Sequence, residues 1–160
     1  MQEYQSLFQV RAARYEDIES IMKITGEAFR EYASMIGSDK LDALTETYED
    51  VKRDIDTKLV LIALYDGIPV GVVRLDVTGE TAYLSRFAVK EDCRNMGIGK
   101  SIIGMVDRIM KKGGVKRLSL HTGSKAAPLI RFYYGRGFYI ESTDTSKGYI
   151  RALLVKDYDR

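Results

Sequence analysis

Between residues 59 and 89 the apolar residues alternate or run in short stretches, and two turns, Asp66-Gly67 and Thr78-Gly79-Glu80, divide the segment into three. Short apolar runs separated by glycine turns predict three strands, residues 59–65, 69–77 and 81–89, joined as an antiparallel meander. The flanks have a different period. Residues 8–12 predict a first strand, and residues 15–33 carry Ile18, Ile21, Met22, Ile24, Ala28 and Phe29 near helical spacing. Gly37-Ser38-Asp39 breaks that helix, and Leu41, Leu44, Tyr48, Val51 and Ile55 predict a second one begun by a Ser or Asp cap. Beyond the meander, residues 98–112 read as a helix closed by Gly113-Gly114 and residues 115–121 as a strand. A helix at 126–134 with Pro128 in its first turn follows, then strands at 138–141 and 149–156. The predicted order is β-α-α-β-β-β-α-β-α-β-β, an α/β architecture with a mixed sheet.

At 160 residues, with no repeat, low-complexity tract or linker, the chain is expected to form one domain spanning residues 1–160. No apolar run approaches the ~20 residues that cross a bilayer, and the first residues lack a signal-peptide pattern, so a soluble cytoplasmic protein without a membrane partner is expected. The single cysteine, Cys93, excludes an internal disulfide and a cysteine zinc cluster, and one histidine, His121, argues against a histidine-rich metal site, so no metal is expected. A net charge of +2 does not suggest nucleic-acid binding. The charge is unevenly spread: residues 15–56 hold twelve acidic and five basic residues, a net of −7, which leaves +9 for the remainder. This is either the solvated surface of two helices or an acidic side facing a cationic substrate across from a basic side facing a phosphorylated cofactor.

The most informative segment is the strand at 81–89 followed by Lys90-Glu91-Asp92-Cys93-Arg94-Asn95-Met96-Gly97-Ile98-Gly99 and a helix. A helix N-terminus presents unpaired N–H groups and partial positive charge, and glycine lets an anion approach them closely. Arg94 adds a charged donor. Gly99-Lys100-Ser101 resembles the end of a nucleoside-triphosphate loop, but that motif requires glycine where Arg94 stands. The dinucleotide fingerprint requires a third glycine where Ile102 stands. Both nucleotide readings are disfavoured.

Arg-x-x-Gly-x-Gly after a strand ending at Val89 resembles the acyl-coenzyme A signature of the GNAT (GCN5-related N-acetyltransferase) superfamily. The resemblance implies a mixed central sheet with splayed central strands and helices on both faces. It implies acetyl-coenzyme A as cofactor, with its pyrophosphate held at Arg94, Asn95, Met96, Gly97, Ile98, Gly99, Lys100 and Ser101. Its pantetheine arm is implied to pair with the strand at Phe87, Ala88 and Val89. The later stretch Phe132-Tyr133-Tyr134-Gly135-Arg136-Gly137-Phe138 resembles a second signature of the same superfamily. There the tyrosine, Tyr133 here, protonates the departing thiolate, a task suited to a phenol whose ordinary pKa is about 10. Tyr134, about 100° further around the helix, is expected to pack or to sit at the rim. Ala126 stands where the family often has an asparagine that bonds the pantetheine.

The resemblance thus implies transfer of an acetyl group to a primary amine of a small molecule or peptide, by direct attack in a ternary complex. An alternative is a coenzyme A-binding sensor without transferase activity. The proton acceptor is not named by the residues: Glu27, Glu31, His121 and water all remain open, while Cys93 is expected to pack rather than react. Phe29, Tyr32, Met35 and Tyr48 are expected beside the acceptor, and related proteins often form homodimers through their late strands.

Overall fold

A computed structural model describes residues 7–158. Its sheet is built around the meander: β2 (Leu59–Tyr65), β3 (Ile68–Thr78) and β4 (Thr81–Val89) pair antiparallel, and β1 (Phe8–Ala12) adds to the outer edge of β2. The other half comprises β5 (Arg117–Gly123), β6 (Tyr139–Asp144) and β7 (Arg151–Asp157). The order β1-β2-β3-β4-β5-β7-β6 inserts the last strand between its two predecessors. Only β4 and β5 run parallel, so the sheet is mixed as expected.

Alternate residues of β2 enter different cores. Val60, Ile62 and Leu64 pack with α1 (Ile18–Ile36) and α2 (Tyr48–Thr57), through Ile18, Ile21, Ile24 and Val51. Leu61 and Ala63 pack on the opposite side with α3 (Ile98–Lys112), through Ile98, Ile102, Ile103 and Val106. Period-two alternation thereby builds two helix-covered faces. A further helix, α4 (Ala127–Gly135), joins the α3 face through the buried Tyr133. None of the described helices is long and apolar enough to cross a membrane.

The bounds of α1 and α2 differ from the sequence expectation. Residues 15–17 form a short 3-10 turn before α1, which then continues to Ile36 and stops at Gly37 in the left-handed conformation. The second stripe is divided: Leu44 belongs to a 3-10 turn, Asp42–Leu44, and α2 begins only after Thr47. The cap is therefore Thr47, not the earlier Ser or Asp. Its hydroxyl accepts from the Asp50 N–H at 3.2 Å, while the Asp50 carboxylate accepts from the Thr47 N–H at 2.9 Å. This reciprocal box satisfies two donors at once, so it outcompetes a start seven residues earlier.

Two features of β4 position the site. Its pairing with β5 ends after Thr81, Ala82 and Tyr83, and the parallel strands diverge beyond that point. On its other edge, Val72 faces Ala88 and Arg74 faces Ser85, so Val73 alone opposes Arg86 and Phe87. That extra residue is a β-bulge, and Arg86 adopts a φ of 52° to make it. The bulge reverses the alternation: Ala82 and Leu84 face α3 before it, and Phe87 and Val89 face α3 after it.

Candidate active site

A cavity of about 760 Å³ occupies the split between β4 and β5 and extends from α1 to the start of α3. Its size is in the range that takes a cofactor and a small substrate. β4 contributes every residue from Tyr83 to Val89 to the wall, which places the expected Phe87, Ala88 and Val89 along it. The glycine turn contributes Arg94, Asn95, Gly97, Ile98, Gly99 and Lys100.

Two expected residues stand apart. The Met96 side chain is exposed outside the wall, so only its backbone is available to a ligand. Ser101 is also outside, and its N–H already donates to the Gly97 carbonyl at 3.0 Å as the first bond of α3. Ser101 therefore has no backbone donor to offer an anion.

Gly97 is the N-cap of α3 with a φ of 77°, no side chain caps the helix, and a Cβ at Gly97 would meet nothing within 4 Å. An uncapped first turn beside open space is the geometry that accepts a phosphate. A Cβ at Gly99 would instead lie 3.4 Å from both Phe87 and Phe132, whose rings stack at 5.7 Å. Gly97 opens the turn to a ligand, and Gly99 lets the helix rest on that aromatic pair.

Arg94 departs from the simple expectation of a free donor. Its Nε–H donates to the Val89 carbonyl at 3.1 Å, and its guanidinium pairs with Glu31 of α1. Glu31, one proton-acceptor candidate, is therefore engaged by a cation, and Glu27, another, is exposed and outside the wall. Phe29, Tyr32 and Met35 line the cavity, whereas Tyr48 is exposed on α2 and does not.

Tyr133 contributes to the wall and is 5% exposed. It meets Phe132 and Phe138 edge-on at 5.3 and 5.4 Å. Burial, with a smaller effect from Tyr32, pushes its phenol well above the ordinary value. The balanced proton transfer expected from an unperturbed phenol is thus shifted: Tyr133 stays protonated throughout the working range and is a weaker acid than free phenol. Tyr134 is half exposed and outside the wall, at neither a core nor a rim position. Ala126 is fully buried with Ile36 and Leu41 and offers a ligand no polar side chain. Cys93 is half-buried against the α3 core, outside the wall, with its thiol pushed up by burial and by Asp92.

Four of the twelve acidic residues in the segment 15–56 are held in ion pairs away from the cavity. Asp17 pairs with Arg11, Asp50 with Arg53, and Glu46 and Asp54 with Arg74, which is fully buried in β3. Of the twelve acidic residues only Glu31 and Asp42 reach the cavity, while Lys40, Arg86, Arg94, Lys100, Lys147 and Arg151 reach it too. The cavity wall is therefore basic, and the idea of an acidic side facing a cationic substrate does not hold for this segment as a whole.

Residues 18–138 match the acetyltransferase (GNAT) family. The chain belongs to that family. Members of the GNAT family use acetyl-coenzyme A. The chain is 26% identical over 149 residues to a spermidine N(1)-acetyltransferase of Thermoplasma acidophilum, covering 86% of this chain and 92% of that protein. Among solved structures it resembles the PaiA N-acetyltransferase of Thermoplasma acidophilum in complex with coenzyme A, with a TM-score of 0.84 and 25% identity over 94% of this chain and 99% of the other. It also shares the fold of the ribosomal-protein-S18-alanine N-acetyltransferase of Escherichia coli, with a TM-score of 0.78 and 16% identity over 96% and 95% of the two chains.

Several residues of the cavity wall and its surroundings escaped sequence reasoning. Phe132 read as part of the second signature but without a role of its own, and Tyr149 and Arg151 only as members of a strand; all line the cavity. Tyr83 lacked a signal because its partner, His121, is 38 residues away: the two side chains meet at 2.6 Å where β4 and β5 part. Arg74 did carry a signal, a lone charge between Val73 and Leu75 in an apolar strand, since such a charge requires buried partners.

Proposed function

We propose that this GNAT protein transfers the acetyl group of acetyl-coenzyme A to a primary amine of a small molecule or peptide, by direct attack in a ternary complex. The observation that carries the reading is Tyr133, buried in the wall of a cavity that opens where β4 leaves β5. Acetyl-coenzyme A, when bound, supplies an acetyl carbonyl activated as a thioester.

The chain's residues divide the remaining work. Backbone N–H groups at Met96, Gly97, Ile98, Gly99 and Lys100 receive the pyrophosphate, with Lys100 and Arg94 adding positive charge. Arg94 must then turn from Glu31 toward the phosphates. Phe87, Ala88 and Val89 lie on the edge of β4 that β5 has released, so their peptide groups serve an extended pantetheine arm as an adjacent strand would. Tyr133 holds a proton for the sulfur. Because its phenol is raised, it delivers that proton only as negative charge develops there. Cys93 lies outside the wall, which supports direct transfer over a covalent enzyme species.

The test is release of free thiol from acetyl-coenzyme A across a panel of amines, amino acids, polyamines and peptides. Turnover with at least one acceptor is expected. Cofactor binding with no turnover on the whole panel would overturn transfer and mark the chain as a coenzyme A-binding sensor.

A further inference from the structure

We propose that Tyr83 and His121 together form the proton acceptor on the amine side of the cavity, an assignment that rests on the transfer reading above. Attack on a thioester requires an unprotonated amine, so a group beside the acceptor must remove a proton.

The location is specific. Ala82 and Leu84 face the α3 core, so Tyr83 between them faces the α1 side of the sheet. Leu118 and Leu120 likewise face α3, which turns His121 toward α1 as well. Tyr83 is the last residue of β4 paired with β5, so the two side chains meet at the apex of the split, where both line the cavity. Tyr133 belongs to the core of the opposite face. The reaction needs a proton removed on the amine's side and one delivered on the sulfur's side, and the sheet separates the two groups in that way.

The hydrogen-bond pattern sets the direction of transfer. His121 Nδ1 lies 2.6 Å from the Tyr83 hydroxyl. The ring proton is assigned to Nε2, which faces the Asp144 carboxylate at 3.9 Å beside the Arg151 guanidinium bonded to it at 3.2 Å, so that the Nδ1 lone pair accepts from Tyr83. The hydroxyl oxygen also accepts from the His121 backbone N–H, which leaves it a second lone pair for the cavity. An ammonium N–H bond breaks as a new O–H bond forms at Tyr83. The original Tyr83 O–H bond breaks as an N–H bond forms at His121 Nδ1. The freed nitrogen lone pair attacks the acetyl carbon, and the nitrogen of the adduct gives up its second proton to water. The C–S bond breaks with its electrons on sulfur, Tyr133 protonates that sulfur, and a proton from solvent restores the Tyr133 hydroxyl. The imidazolium, near an Asp144 carboxylate that also pairs with Arg151, loses its proton to water through its partly exposed edge.

The surroundings keep the imidazole ready. Burial lowers the His121 pKa below its ordinary 6.5; Arg151 and Lys147 act in the same direction and Asp144 opposes them. Tyr83 is raised, chiefly by burial, against Arg151, the His121 backbone hydrogen bond and Arg86, with a small further rise from Tyr32. A phenol that resists ionisation passes a proton on rather than holding a negative charge. The remaining carboxylate on this wall is Asp42, since Glu31 is paired with Arg94; neither is hydrogen-bonded to a histidine.

The experiment is a kcat–pH profile of the full chain with acetyl-coenzyme A and a saturating amine that it acetylates. A raised His pKa would move the acid limb upward; here it is lowered, so wild-type activity is retained through neutral pH and falls on acidification below 6.5 as the imidazole becomes protonated. His121→Gln keeps a neutral partner for the Tyr83 hydroxyl but cannot titrate. We expect it to lower kcat by about 10²-fold and abolish that acid limb, with the KM for acetyl-coenzyme A and the melting temperature unchanged. Tyr83→Phe is expected to lose as much, and the double variant no more than either, because the two act as one unit. A His121→Gln enzyme with wild-type kcat and an intact acid limb would overturn the assignment alone and reduce the pair to a clamp at the split. No turnover by wild type with any amine would overturn the transfer reading and this assignment with it.

Discussion

The two faces of the sheet are built on different physical terms. The α3 face is apolar: Leu61, Val73, Leu84, Ile102, Val106 and Leu118 make a continuous core that supports an open helix N-terminus. The α1 face carries charge into the interior. Arg74 is fully buried there, its guanidinium bonded to Glu46 and, at 2.9 Å, to Asp54, while Arg86 of the bulge shares Glu46 at 3.3 Å. Burial alone would lower the Arg74 pKa, but the two carboxylates reverse this and raise it. The contrast is between a face held by apolar contact and backbone geometry and a face that depends on particular charged side chains.

The largest expected effect tests the charged face. Arg74→Ala leaves Glu46 and Asp54 partly buried without their main cation, and a loss of about 3–5 kcal/mol in unfolding free energy is expected by chemical denaturation. A loss under about 1 kcal/mol would show that the α1 face does not depend on the cluster and would remove the contrast.

Next comes the apolar side. Tyr133→Phe keeps the ring contacts with Phe132 and Phe138 and removes only the hydroxyl. A fall in kcat of about 100-fold, ~2.7 kcal/mol, with an unchanged KM for acetyl-coenzyme A, is expected from steady-state kinetics. An unchanged kcat would transfer the acid role to solvent.

Gly97→Asp sharpens the role of the glycine turn. The left-handed φ of 77° strains any side chain, aspartate less than most, and space is open around the Cβ, so the melting temperature is measured beside the affinity. The aspartate carboxylate would sit where the pyrophosphate is proposed to bind. Calorimetry is expected to show coenzyme A affinity weakened by about thirtyfold, ~2 kcal/mol. Unaltered affinity would place the phosphates elsewhere.

The smallest effect concerns the link between the two sides. Glu31→Gln frees Arg94 from a half-exposed ion pair of the kind that contributes little. Coenzyme A is expected to bind more tightly by no more than about threefold. Weaker binding would mean that Glu31 holds Arg94 in the position the phosphates require.

Legibility in the sequence followed the range of the interactions. The helix at residues 98–112 was read to the residue because its apolar stripe, its preceding glycines and its closing Gly113 are all local. The start of α2 was displaced because Leu41 and Leu44 continue an apolar stripe, while the Thr47–Asp50 box that sets the start competes through two hydrogen bonds. Near the end of the chain the readings were one or two residues early, and β6 was read shorter than its six residues, because its largely exposed strand lacks an apolar alternation. In the candidate site, the glycine turn and Tyr133 were visible as compact motifs. Glu31 was visible only as an unassigned carboxylate, since its partner Arg94 lies 63 residues further on.

The sequence alone therefore determined the succession of elements, the glycine turn ahead of α3 and the tyrosine on α4, because periodicity, capping and turn formation act between residues a few positions apart. Tertiary structure decided the placement of β7 between β5 and β6, the divergence of β4 from β5 after three pairs, the burial that raises Tyr133 and the meeting of Tyr83 with His121. Those depend on which distant surfaces exclude water together, and no local pattern specifies that.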